Sequence, residues 1–346
     1  MKIALVETLS PTTADDSRGL ARALTEAGHQ VTAHSAMTGQ DPGADGERTA
    51  VPGIAASLRA QWGRARPDVV HSTGWAAGLA ALAAARELGI PVVQSFGSLA
   101  ISERRRGLVT QLERSRLERA IGHAASGVIA GSGEEAADLV RLGVSRRLIS
   151  VIPRGVDLDV FTPEGTAARR SARAAAKPRI VAVTGPEAGT DRGPGCGPEE
   201  EAILARAVAA VPGAELVTAP GGCQPQALRR LAQLLRSADV FVHVPAHEPT
   251  GIACLRAMAC GIPVVASAVG AHGDIVVEGT TGFLVPPGRP DLLAARVRHL
   301  LGHSMPRQAL SVAAVDRARS RYSWDRVAAE TLAVYQDVCE VSLTAA

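Results

Sequence analysis

Short apolar runs and longer amphipathic ones alternate along this chain from end to end. KIALV (2–6) is followed by SRGLARALTEAG (17–28), whose apolar positions recur at helical spacing, and then by QVTAH (30–34). The alternation continues with DVVH (68–71), AAGLAALAAARELG (76–89), PVVQSF (91–96), a charged helix near 102–124, GVIAG (127–131) and EEAADLVRLG (134–143). Strand-length apolar segments separated by helices predict βαβ units and parallel sheets. Gly28, Gly89 and Gly143 stand where helices should stop. A second series opens at PRIVAVT (178–184), after the Ala/Arg-rich GTAARRSARAAAKP. It runs through AELVT (214–218), LRRLAQLLRSA (228–238), DVFVHV (239–244), a helix beginning near Thr250, PVVAS (263–267), GFLVP (282–286) and three C-terminal helices. The expected fold class is α/β, with two doubly wound, Rossmann-like domains facing across a cleft. The expected bounds are 1–165 for the first domain, 166–178 for a connection, 179–318 for the second, and 319–346 for a C-terminal helix packing back toward the first.

The length of 346 residues agrees with two cores of ordinary size. Hydrophobic residues at 46% and charged residues at 21% fit a globular protein, and aromatic residues at 3% leave packing to Ala, Val and Leu. So few aromatics argue against base-stacking platforms, and a net charge of +3 without a long basic stretch argues against nucleic-acid binding. The five cysteines (Cys196, Cys223, Cys254, Cys260, Cys339) form no C-x-x-C pair, so neither a disulfide frame nor a metal site is expected. The leading MKIALVETLS is too short for a signal peptide, and no stretch is apolar enough to span a bilayer, so the expected location is cytoplasmic. TGQDPGADGER (38–48) and GPEAGTDRGPGCGP (185–198) read as flexible.

In open parallel sheets, ligands bind beyond the carboxyl ends of strands, where loops lead into helix N-termini. After DVFVHV comes HEPTGIACLRAMACG (247–261). Pro249 sets a turn, Gly251 permits close backbone approach, and the helix start offers N–H groups to an anion. Glu248, just ahead, can accept hydrogen bonds from sugar hydroxyls. The plain alternative is a turn that merely starts a buried helix, with Ala253, Leu255 and Ala257 as packing.

The motif has company elsewhere in the chain. E-P-x-G-I-x-x-L-x-A-M-A-C-G-x-P-V-V-A-S, followed by GTTGFLVPPGRPDLLAARV, resembles the C-terminal half of retaining family-4 glycosyltransferases of the two-domain GT-B fold. GSGEEAADLVRLGVSRRLISVIPRGVDLDVFTPEG (131–165) is similar to the segment leading to that family's P-x-G-V-D motif. DVVHSTGWAAGLAALAAARELGIPVVQSF (68–96) is similar to its N-domain core, and RARSRYSWDRVAAETLAVYQ (317–336) to its terminal helix. The resemblance implies transfer of a hexose-type sugar from a nucleotide-diphosphate donor, a co-substrate, to a small-molecule, lipid or glycan acceptor held largely by the first domain. No separate cofactor and no metal are implied. Glu248 would contact the donor sugar. Thr250, Gly251 and Ile252 would line the phosphate side, and Arg154 and Arg192 would offset diphosphate charge, as the charge-separating transition state requires.

Several positions depart from the family pattern. The second carboxylate of its E-x7-E pair, which accepts ribose hydroxyls, is here Arg256, a donor only. The lost contact is worth roughly 1.5–3 kcal/mol, one to two decades in affinity. In GPEAGTDRG (185–193), Pro186 replaces an arginine and Arg192, displaced by one residue, stands in for a lysine. Gly97 occupies the place of an N-domain histidine, and the stretch between AELVT and the next strand is short for a base-reading loop. LSPTTADD (9–16) lacks a glycine pair, although Thr12, Thr13 and Ser17 could bind an anion there. Arg256 is expected to avoid solvent and reach toward Glu248 or the ligand. His71, at a strand end, is carried as a catalytic candidate beside its commoner structural role. The run SERRRGLVTQLERSRLER (102–119) reads as a solvated face in preference to a surface for peripheral membrane contact. The competing reading is a catalytically silent glycosyltransferase relative that acts as partner or scaffold of an active enzyme. A sugar-phosphate-processing enzyme on the same scaffold is a third.

Overall fold

The computed structural model describes residues 1–7, 11–35, 43–105, 107, 112–170, 177–184, 197–220 and 224–344. They form two compact units, Met1–Pro153 with Trp324–Ala346, and Arg154–Ser323.

In the first unit the order is β1 (Lys2–Glu7), α1 (Pro11–Glu26), β2 (Gln30–Ser35), α2 (Gly43–Arg64), β3 (Val69–Thr73), α3 (Trp75–Ala85), β4 (Val92–Ser95), α4 (Ala100–Arg105), α5 (Leu112–Ala124), β5 (Gly127–Ala130), α6 (Gly133–Arg141) and β6 (Ile149–Val151). The strands make a six-stranded parallel sheet in the order β2-β1-β3-β4-β5-β6. Alanines carry much of the packing: Ala76, Ala77, Ala80, Ala81, Ala84 and Ala85 of α3 are all buried, which lets the helix lie close against the sheet. Two segments differ from expectation. The charged helix near 102–124 is two helices, α4 and α5, with Glu118 of α5 buried and accepting the Ala100 N–H at the start of α4. Of the stretch read as flexible at 38–48, residues 43–48 open α2, which is held by Ala55, Leu58 and Trp62, spaced three and four residues apart and buried, and 38–42 lie outside the described residues.

The second unit contains β7 (Arg179–Thr184), α7 (Pro198–Ala209), β8 (Glu215–Pro220), α8 (Pro225–Leu235), β9 (Val240–His243), α9 (Ile252–Ala259), β10 (Val264–Ser267), α10 (His272–Ile275), β11 (Gly282–Val285), α11 (Pro290–Gly302) and α12 (Ser304–Tyr322). Its five parallel strands run β11-β10-β9-β7-β8. The direction of winding reverses between β7 and β9, so the carboxyl ends of these two strands bound the crevice where such sheets take ligands. One apolar cluster packs on each face of the sheet, one around Phe241 and Leu255, the other around Ile180, Val265 and Leu300. β8 leads to α8 and then straight to β9, in keeping with the shortness of that stretch. The boundary between units falls after Pro153, not at 165. Val156 and Phe161 pack into the second core, and the Val156 N–H donates to Tyr322 O. The last helix, α13 (Trp324–Thr344), belongs to the first unit, where Tyr335 and Val338 join Ile3 and Leu5.

Candidate functional site

β9 ends at His243, and the loop that follows turns back on itself before α9. Glu248 is what holds the turn. Its Oε1 accepts from the Thr250 N–H (3.0 Å), the Thr250 hydroxyl (2.7 Å) and the Gly251 N–H (2.7 Å). The Thr250 hydroxyl in turn lies 3.4 Å from the Ile252 N–H. The carboxylate thus does for α9 what a capping side chain does elsewhere. Gly251, the residue before the helix, has φ 67°, and a Cβ there would meet Ile275 Cδ1 at 2.0 Å. Gly270 approaches from the loop after β10. With φ 53°, it passes so near that a Cβ would sit 1.8 Å from the backbone oxygen of Glu248. The adjacent Ala271 N–H donates to that same oxygen at 2.8 Å. Two loops are therefore locked together at Glu248.

Glu248 is only 3% exposed. Burial alone would raise its pKa. Nearby His243 and His272, with the donors from Gly251 and Thr250, outweigh burial and hold the carboxyl below the usual glutamate value. His243 Nδ1 lies 3.7 Å from Oε2. Burial pushes His243 itself down to about 4, with the nearby Glu248 carboxylate acting against that push.

The site residues expected from sequence are distributed as follows. Glu248, Thr250, Gly251 and Ile252 come together in one turn at the switch point. The N–H groups of Gly251 and Ile252, expected to face phosphate, are engaged within this turn, which leaves those of Ala253 and Cys254 as the remaining first-turn donors. Arg256 is buried, at 6% exposure, and its guanidinium lies over the Phe161 ring, 5.4 Å from the centroid. Arg154 is half-buried at the start of the second unit. Arg192, with Pro186 and the rest of 185–196, lies outside the described residues, as do the side chains of Thr12 and Thr13. The Ser17 hydroxyl donates to Glu7 at 2.5 Å.

His71 belongs to the first unit, on β3. Its Nδ1 meets the Tyr335 hydroxyl at 2.6 Å and its Nε2 the Ser95 hydroxyl at 2.9 Å, and burial pushes it down to about 4. These contacts account for His71 without a substrate. In the arginine run, Arg105 bridges Glu134 and Asp138, and Arg114 bridges Glu103 and Glu118. No helix among the described residues is long and apolar enough to cross a membrane.

Sequence reasoning missed two constellations. One is the His71–Tyr335–Ser95 relay, which joins segments distant in sequence. The other is a buried group of His243, Cys254 and His272, whose ligand atoms all lie within 4.8 Å of one another. A histidine, His243, within the apolar run VFVHV (240–244) was its one visible signal.

Comparisons with known proteins match this architecture. Residues 18–160 match Glycosyltransferase Family 4, and residues 221–317 match Glycosyl transferases group 1. The chain is 34% identical over 301 residues to the D-inositol 3-phosphate glycosyltransferase of Xylanimonas cellulosilytica, covering 78% of this chain and 71% of the relative. It is 32% identical over 314 residues to that of Actinosynnema mirum, covering 79% and 73%. Among solved structures, sucrose-phosphate synthase from Thermosynechococcus elongatus matches with a TM-score of 0.79 at 22% identity, over 99% of this chain and 100% of that one. Anabaena HepE in complex with UDP-glucose matches with a TM-score of 0.70 at 17% identity, over 100% of both chains.

Proposed function

Because the chain belongs to the family-4 glycosyltransferases of the GT-B fold, we propose that it moves a hexose from a nucleoside-diphosphate donor to a hydroxyl acceptor with retention of anomeric configuration. The observation that carries this reading is the Glu248 turn. A carboxylate is fixed at the carboxyl end of β9, beside the switch point, at the start of α9. Its Oε1 is committed to the turn, so Oε2 is the atom left to accept sugar hydroxyls. The remaining first-turn N–H groups of α9, those of Ala253 and Cys254, would serve the diphosphate, with Arg154 and Arg192 adding positive charge as the leaving group departs. In the transfer the bond from the anomeric carbon to the diphosphate oxygen breaks and a bond from that carbon to the acceptor oxygen forms. The electron pair leaves with the diphosphate, and the hydroxyl proton passes to it or to water. The donor is a co-substrate, and the step needs no further cofactor.

The bound ligand of HepE makes UDP-glucose the first donor to test, and the names of the relatives make a phosphorylated cyclitol the first acceptor. One observation favours a second reading, that of a silent partner. Arg256, where the family carries its ribose-binding carboxylate, is stacked on Phe161. Calorimetry against UDP-, GDP- and dTDP-sugars separates the two. Binding of one donor class supports the enzyme, and binding of none supports the silent partner.

A further inference from the structure

Beneath the Glu248 turn, three chemically soft or borderline donors converge from three elements. His243 closes β9, Cys254 lies in the first turn of α9, and His272 opens α10. All three are at most 3% exposed. His272 Nδ1 faces the Ser267 carbonyl at 2.8 Å. A carbonyl can only accept, so in neutral His272 the proton resides on Nδ1 and Nε2 presents its lone pair. That lone pair points to His243 Nδ1, 3.2 Å away. A metal-ligating histidine is held in this way, one ring nitrogen anchored to a backbone carbonyl and the other turned to the ion.

The plain account of the cluster is a hydrogen-bond chain from His243 through His272 to Ser267, with Cys254 as a small apolar filler. It accounts for the two rings. It gives the Cys254 thiol no polar role, although that thiol lies with two imidazoles beside the Glu248 carboxylate inside an otherwise apolar layer formed by Phe241, Ile252 and Leu255. The charges suggest an answer. A divalent cation, one thiolate and the Glu248 carboxylate, whose Oε2 lies 3.7 Å from His243 Nδ1, sum to zero, which is what a buried ion requires.

We propose that His243, Cys254 and His272 form a zinc site that braces the turn carrying Glu248. Two imidazoles and a thiolate suit zinc, with bonds of about 2.0–2.3 Å that put tetrahedral ligand atoms roughly 3.3–3.6 Å apart. The two histidine nitrogens are already at 3.2 Å, and a separation of 4.8 Å or less leaves the sulfur about 1 Å to close by rotation of its side chain. The site is independent of donor identity and of whether transfer occurs.

The test is a cobalt titration of full-length protein stripped with chelator. Co2+ should saturate at a single equivalent, giving intense visible bands of tetrahedral geometry and a thiolate-to-cobalt charge-transfer band, and Zn2+ should displace it. Cys254→Ala should abolish the charge-transfer band and weaken affinity roughly 100-fold or more, since even supporting residues cost 10–100-fold. If that variant does not fold, the wild-type melt decides: Zn2+ should raise the midpoint and chelator reverse it. Absence of tetrahedral bands, a spectrum unchanged in folded Cys254→Ala, or a melt indifferent to zinc would overturn the proposal. UDP-glucose calorimetry on stripped protein tells its failure apart from that of the transferase reading.

Discussion

Replacing Glu248 by alanine removes one oxygen that serves three donors. The Gly251 N–H is buried and would be stranded, at about 1–3 kcal/mol. The Thr250 N–H and hydroxyl are half-buried and can partly rehydrate, so each costs about 1 kcal/mol. The total is roughly 3–5 kcal/mol, a large share of the 5–15 kcal/mol typical of folded proteins. At about 2–4 °C per kcal/mol for a unit of this size, the melting midpoint should fall by roughly 6–20 °C. Glutamine keeps a carbonyl oxygen in the Oε1 position and should cost less than about 1.5 kcal/mol, the worth of an ordinary hydrogen bond. Urea unfolding followed by circular dichroism, in chelator and with m-values compared, measures both. Equal costs for alanine and glutamine, within about 0.5 kcal/mol, would show that the carboxylate does not hold the turn. Glutamine is therefore the cleaner probe of chemistry, because alanine perturbs the scaffold as well.

Gly270→Ala should prevent the β10 loop from closing on Glu248, since the clash is with backbone and the φ is positive; trypsin resistance equal to wild type would refute this. Arg256→Glu should restore the ribose-accepting carboxylate and tighten UDP-glucose ten- to hundredfold, while loss of the Phe161 contact lowers stability by about 2 kcal/mol. Calorimetry that finds no change would leave Arg256 as a packing residue. Glu135, which accepts the Gly131 N–H at 2.7 Å, is pushed up to about 7, chiefly by burial, against 4.5 unfolded. The folded state then binds the extra proton between those values, so this group's stabilising contribution is full below 4.5 and falls by about 3 kcal/mol as pH rises to 7. Glu135→Gln should remove that slope from the difference between wild-type and variant stability curves, and parallel curves would contradict the burial argument. His71, pushed down to about 4, acts in the opposite sense between 4 and 6.5 and cancels in the difference.

The sheet strands and the C-terminal helices were legible because apolar strands buried on both faces, such as DVFVHV and PVVAS, stand out against helical spacing. The split of α4 from α5 was not, because the charged residues keep helical spacing across it, and the contact that ties the two helices together, Glu118 of α5 accepting the Ala100 N–H, joins residues well apart in sequence. The start of α2 was hidden by glycine and aspartate, residues that signal turns locally, while Trp62 pays for the helix from its far end. The Glu248 turn could be placed from Pro249 and Gly251. Its inward hydrogen bonding could not, since the choice between donating an N–H to a ligand or to Glu248 is made by three-dimensional packing, with Gly270 pressing the loop shut. The His243–Cys254–His272 group obeys no short spacing, and only the β9-α9-β10 winding brings it together.

The most direct test of the central claim follows the products. Protein, UDP-glucose and a phosphorylated cyclitol are incubated while the anomeric proton is observed by NMR and free UDP is quantified. The account predicts UDP released in step with a new glycoside that keeps the donor's anomeric configuration, and a rate that collapses in Glu248→Gln although that variant melts near wild type. Wild-type turnover in folded Glu248→Gln, or a product of inverted configuration, would contradict it.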